Sequence, residues 1–192
     1  MNLPYWQRQT PEQPLFPDIE WGKPEQRSRA GKLGIIGGNK LGFAGVAEAY
    51  STALASGVGE VRVLLPDVLK NTLPRTMNGV AYAPSNPSGG LAQESINELR
   101  ALGAWSDGLL LIGDAGRNSQ TAIVYSQLLR DYQGPAVITR DAADLVRNDS
   151  AILAARQNTV LILSFAQLQK LFRTLYYPKI LTFSMQLLQL VE

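Results

Sequence analysis

The segment Gly31–Pro66, GKLGIIGGNKLGFAGVAEAYSTALASGVGEVRVLLP, constrains the fold of this chain more than any other. It runs from an apolar stretch through a glycine turn, a small-residue stretch at helical spacing and a second glycine turn to another apolar stretch. That is the pattern of a β-α-β unit. Gly37 and Gly38 let the chain leave the first strand tightly. Ala44, Gly45, Ala47, Ala49 and Ala53 keep the following helix close to the sheet. The first amides of that helix, around Phe43 to Val46, form a positive end suited to an anion or phosphate. Turn geometry and close packing alone would also account for the glycines. The turn is not a Walker loop, since no Gly-Lys-Ser/Thr follows. Nor is it the dinucleotide fingerprint: GGNKLGFAG lacks the GxGxxG order, and the next strand ends in Leu64-Leu65-Pro66 rather than in an acidic residue.

The same alternation continues downstream. Strands are predicted at Lys32–Ile36, Glu60–Leu65, Val80–Ala83, Gly108–Ile112, Pro135–Thr139 and Val160–Leu163. Helices are predicted at Gly45–Ser56, Asp67–Asn71, Leu91–Leu102, Ser119–Asp131, Asp141–Val146, Ser150–Arg156, Phe165–Phe172 and Thr182–Val191, with Ser119 and Asp141 as N-caps. Most strands read as continuous apolar runs, as strands buried on both faces do. The expected architecture is therefore a three-layer α/β/α domain over residues 31–192 with a mainly parallel sheet. Pro84–Gly90, PSNPSGG, reads as a flexible loop. Residues 1–30 carry prolines at 4, 11, 14, 17 and 24 and the aromatics Tyr5, Trp6, Phe16 and Trp21. They read as an extended arm, either a solvated leader or a segment docked on the domain or on a partner subunit. The last stretch, KILTFSMQLLQLVE, stops inside an apolar helical pattern. Either this helix docks on the sheet as a natural end, or a further C-terminal part belongs to the protein.

Composition narrows the chemistry. The chain contains no histidine and no cysteine, so acid-base work falls to Asp, Glu, Lys or Tyr. Disulfides and thiolate metal sites are excluded, which fits a reducing cytoplasm. The formal net charge is +2 and the basic residues are scattered, which argues against a nucleic-acid partner. The N-terminus lacks a secretory pattern, and no apolar run approaches the roughly 18 residues of a membrane span. A soluble protein without a membrane partner is expected. No acidic cluster has metal-site spacing.

Polar candidates gather after the predicted strands, where an open parallel sheet presents side chains to a ligand. Asp114 and Arg117 follow the strand at 108–112, Arg140 and Asp141 follow the one at 135–139, and Asn39 and Lys40 lie in the first loop. Each has a plain structural alternative: a turn-capping Asp with a solvated Arg, an N-cap beside a surface Arg, an exposed Lys. Tyr176-Tyr177-Pro178 reads as a packed corner.

Ile36-Gly37-Gly38-Asn39, Phe43-Ala44-Gly45-Val46 and Ser56-Gly57-Val58-Gly59, followed by Val61 to Pro66, resemble the opening of the NAD(P)H-hydrate dehydratases, ribokinase-like enzymes that repair hydrated nicotinamide cofactors. Asp107 to Arg117, DGLLLIGDAGR, resembles that family's second glycine turn, and the spacing holds from about residue 30 to 175. The resemblance implies a ribokinase-like fold, a lyase reaction with ADP or ATP and Mg, NAD(P)H-hydrate as substrate, and a homo-oligomer. Together with the strand-end positions it gives Gly37, Gly38, Asn39, Gly45, Val46, Gly113, Asp114 and Arg117 as candidate substrate-binding residues. No catalytic residue is assigned. The family's Asp-Ala-Asp-Ala-Leu appears as Thr139-Arg140-Asp141-Ala142-Ala143, and its Thr-Pro-His-Pro-Gly-Glu as Ile162-Leu163-Ser164-Phe165-Ala166-Gln167, without the histidine and the glutamate. The Gly-Thr-Gly-Asp segment with the catalytic aspartate would lie beyond Glu192. Two other readings follow: a non-catalytic ribokinase-like protein that binds a nucleotide or a partner, and a small-molecule kinase of the same fold.

If the arm joins subunits, a chain lacking residues 1–25 elutes from size exclusion as a smaller assembly. An unchanged oligomer refutes that role.

Overall fold

A computed structural model of the protein describes residues 7–72 and 77–191. Its centre is a sheet of six parallel strands: β1 (Lys32–Ile36), β2 (Glu60–Pro66), β3 (Val80–Ala83), β4 (Gly108–Leu111), β5 (Ala136–Thr139) and β6 (Thr159–Ile162). The spatial order is β3-β2-β1-β4-β5-β6. The chain thus winds from β1 outward through β2 and β3, then returns to the far side of β1 and winds outward again. The helices are α1 (Asp18–Trp21), α2 (Ala44–Ala55), α3 (Ile96–Trp105), α4 (Ser119–Asp131), α5 (Arg140–Val146), α6 (Ser150–Ala155), α7 (Phe165–Thr174) and α8 (Leu187–Val191).

Because consecutive strand residues point to opposite faces, Ile35 and Ile36 belong to different cores. Ile35, Val61, Val63 and Leu65 pack beneath α2 with Val46 and Ala53. Ile36, Leu64, Leu109, Leu111 and Ile138 pack on the other face against Leu99 of α3, Val124, Tyr125 and Leu128 of α4, and Ala142 of α5. Right-handed crossovers require this arrangement once the winding reverses at β1. One cross-sheet row on the α2 face runs Val63, Ile35, Leu110, Val137, Val160 in register. It starts fully buried under α2 and ends with Val160 58% exposed on edge strand β6.

Several expectations are corrected. Asp67–Asn71 is only a 3-10 turn at Asp67–Leu69. The helix expected from Leu91 begins at Ile96 after a 3-10 turn at Gln93–Ser95, and it continues to Trp105. The terminal helix is confined to Leu187–Val191. The cap of α4 is Asn118, not Ser119: the Asn118 side-chain oxygen accepts from the Gln120 amide at 2.8 Å. Asp141 does not cap α5, since Thr139 precedes that helix and Asp141 lies in its first turn.

Pro84–Gly90 is not the free loop its composition suggests. Asn86 is buried, donates through Nδ2 to the Leu91 carbonyl and to Thr121 Oγ1, and accepts from the amides of Ser88 and Gly90. An Asx-type turn of this kind replaces ladder bonds with side-chain bonds, so prolines and glycines mark its shape rather than its mobility. In the arm, Phe16 and Trp21 are exposed, and Tyr5 and Trp6 lie outside the described residues. No helix among the described residues is long and apolar enough to cross a membrane.

Tyr125 is the largest fully buried side chain, and its hydroxyl has no partner among the described residues. Burial, reinforced by the Asp141 carboxylate, pushes its phenol well above the ordinary value. The folded state therefore keeps the proton, while the unfolded chain releases it near pH 10. The contribution is intact below that pH and is lost as pH rises beyond it. Tyr125→Phe removes an unpaired buried hydroxyl whose burial costs about 1–3 kcal/mol. Denaturant unfolding should find the variant equal to or more stable than the parent at neutral pH, with a shallower alkaline decline. A loss above about 1 kcal/mol would show that the hydroxyl is satisfied.

Candidate functional site

The reversal of winding between β1 and β4 sends the two following loops apart, and such a switch point is where open parallel sheets form their ligand crevice. The loop after β1, residues 37 to 43, and the loop after β4, residues 112 to 118, build its walls. They start in contact. A Cβ on Gly37 would lie 2.8 Å from the Ile112 carbonyl and 2.9 Å from that of Gly113, so only glycine fits there. The first loop folds back on itself through paired amide–carbonyl bonds between Asn39 and Gly42, both 3.0 Å. Asn39 is buried: its Oδ1 accepts from the Leu41 amide, and its Nδ2 donates to the Asp114 carbonyl, each at 2.6 Å. Lys40 donates its amide to Gly89 and its ammonium to the Pro87 carbonyl, which docks the Asn86 turn onto the same wall.

The N-terminus of α2 is capped from a distance. Its preceding residue, Phe43, offers no side-chain bond, and the Gly45 amide instead donates to Asp114 Oδ2 at 2.7 Å, across the crevice. The other oxygen of Asp114 faces Arg140 Nη2 at 3.4 Å. The Arg140 side chain is 55% exposed, so this ion pair adds less than about 1 kcal/mol. The short amide–carboxylate bond, reinforced by the helix dipole, is the stronger of the two.

Asp114 and Arg140 both adopt left-handed backbone, with φ of 63° and 57°. That conformation costs an L residue roughly 1–2 kcal/mol, less for Asp. The cap offsets it at Asp114. At Arg140 the carbonyl accepts from Gln167 Nε2 at 2.7 Å. Asp141 Oδ2 accepts from the Gly116 amide at 3.0 Å, while its Oδ1 is buried without a partner among the described residues.

The structure therefore brings Gly37, Gly38, Asn39, Gly45, Gly113 and Asp114 together around the switch point. Val46 is fully buried in the core under α2, so its side chain faces hydrophobic neighbours rather than a ligand. Arg117 lines a separate groove with Arg147 and Lys170. Sequence reading did not single out Arg147 or Lys170, since neither falls at a strand end or in a recognisable motif, and it named Gln167 only as the residue at the family's glutamate position. At the far corner, Tyr177 packs on Phe172 with ring centroids 4.7 Å apart, whereas Tyr176 is 92% exposed and does not pack.

No family model matches the chain, and no curated protein matches it. Among solved structures it is similar to a ribokinase-like superfamily protein from Enterococcus faecalis V583, with a TM-score of 0.62 and 16% sequence identity. The match covers 79% of this chain and 51% of that one, so the chain spans about half the length of its structural neighbour. At that identity the likeness shows the fold, which is ribokinase-like.

Asp114→Ala removes the cap from α2 and places Ala in left-handed backbone, and should cost about 1–3 kcal/mol in denaturant unfolding. Asp114→Asn keeps an acceptor and tolerates the backbone, so it should cost less. Equal losses would show that charge, not the bond to Gly45, is what holds the helix start.

Proposed function

We propose that this chain is a non-catalytic ribokinase-like protein, a descendant of the NAD(P)H-hydrate dehydratase layout, that binds a nucleotide-type ligand at the switch-point crevice once Asp114 releases the start of α2. One observation carries the reading: the carboxylates facing the crevice, Asp114 and Asp141, are bonded to backbone amides at Gly45 and Gly116. A carboxylate that caps a helix start serves as an acceptor in the scaffold. To act as a general base it would have to release the helix it stabilises.

The two positions where the family carries histidine and glutamate support the same reading. Ser164 and Gln167 form a capping box at the start of α7: Ser164 Oγ accepts from the Gln167 amide at 3.3 Å, and Gln167 Oε1 accepts from the Ser164 amide at 3.0 Å. The Gln167 Nε2 donates to the Arg140 carbonyl and to Asp144 Oδ2. Both side chains thus serve helix and loop geometry. A phosphate of ADP or ATP seated at the start of α2 would meet the Asp114 carboxylate, so the residues present do not fit one there unless Asp114 swings out. Swinging out would free the Gly45 amide and Arg140 together, and both suit an anion.

The competing reading is a lyase acting on NAD(P)H-hydrate with ADP or ATP, in which Gly45, Val46 and Gly113 line the substrate pocket. It draws on the layout shared with the family between residues 30 and 175. A kinase of the same fold would need a free catalytic aspartate, and Asp114 is already bonded to the Gly45 amide and faces Arg140.

Purified chain incubated with NADPH-hydrate, Mg and either ADP or ATP separates these readings. The binding reading predicts thermal stabilisation by ADP or NADPH, as binding to the folded state alone requires, and no recovery of NADPH absorbance. Recovery of absorbance that disappears in Asp114→Asn would overturn it in favour of the lyase.

A further inference from the structure

We propose that a second site, outside the crevice, binds a small phosphate-bearing ligand of the pyrophosphate or nucleoside diphosphate class in the groove formed by Arg117, Arg147 and Lys170. The three cations come from three different elements: the loop after β4, the 3-10 turn Arg147–Asp149 that follows α5, and α7. Neighbouring cations on one helix face are an ordinary solvated surface. Here the tertiary fold sets three cations from separate elements on the wall of one concavity.

The groove has a volume of about 380 Å³. That lies at the lower end of the roughly 300–1,000 Å³ typical of small-ligand sites. The charge within it is unbalanced. Its one carboxylate, Asp144, accepts from Arg147 Nη1 at 2.9 Å and from Gln167 Nε2 at 3.0 Å. Arg117 and Lys170 form no side-chain hydrogen bond or ion pair among the described residues. Two positive charges are therefore left over in a concave wall, where field lines concentrate and raise the local concentration of anions.

The chemistry of the wall indicates which anion. Arg117 offers a planar fork to a pair of oxygens, and Lys170 a point charge. Ser119 and Asn148, also in the wall, add neutral polar groups. The start of α4 opens onto the same groove and contributes positive dipole. A ligand with two adjacent phosphoryl groups satisfies two separated cations at once, whereas a carboxylate satisfies one. The footprint is too small for a nucleic-acid backbone, which needs a stripe of cations. The site is independent of the reading of the crevice, because neither Asp114 nor Gly45 lines it.

The test uses the full chain with pyrophosphate as probe. Binding is followed by thermal shift and by isothermal titration at low salt, with sodium chloride holding ionic strength constant. Pyrophosphate should stabilise the parent at millimolar concentration, and the affinity should fall as salt rises. The double substitution Arg117→Gln with Lys170→Gln should weaken binding by about tenfold or more, while Lys23→Gln, an exposed cation of the arm outside the groove, leaves it unchanged. The substituted side chains are exposed, and ligand-free melting confirms that the variant folds. Absence of any pyrophosphate effect on the parent would overturn the proposal. So would undiminished binding by the double variant, or binding sensitive only to Asp114→Asn, which would place the phosphate at α2.

Discussion

The close approach of the loops after β1 and β4 is the constraint on which the rest of the site depends. Parallel pairing of Ile36 with Leu111 brings the two strands to their ends side by side. Gly37 then passes against the carbonyls of Ile112 and Gly113 with no room for a side chain. From that contact the chain can only diverge, toward α2 on one face and α4 on the other. The divergence opens a crevice between two helix starts. The Asn39 bridge to the Asp114 carbonyl ties the two loops together beyond that contact.

Within that frame, electrostatics decides what the crevice can do. A helix start facing a crevice can be satisfied by a ligand anion or by a carboxylate of the chain itself. Here the chain supplies its own, and the strained backbone at Asp114 is the cost of aiming it across the gap. Free positive charge lies instead in the neighbouring groove, where Arg117 and Lys170 have no counter-ion among the described residues. The arrangement separates a polarised helix start from an accessible cation cluster.

Most of the fold was legible in the sequence because buried parallel strands carry their own pattern: all six lie within a residue or so of the apolar runs that announce them. What pattern could not show was how polar side chains are used. Asn118 and Ser119 are both acceptable caps, and only the backbone conformation at Asn118 selects it. PSNPSGG looks mobile in composition, yet the burial of Asn86 and its bonds to Leu91 and Thr121 are tertiary facts. Asp114 was legible as a strand-end candidate, but not its partner: the Gly45 amide lies 69 residues away in sequence. Lys170 and Arg147 were illegible, since their meaning arises only from the convergence of separate elements.

Amide hydrogen exchange at Gly45 tests the central claim most directly, because that single N–H separates a self-capped helix start from an open one. In the parent it should be protected, and in Asp114→Ala it should exchange faster while amides in the middle of α2 keep their protection. Rapid exchange at Gly45 in the parent, or protection unchanged by the substitution, would contradict the account.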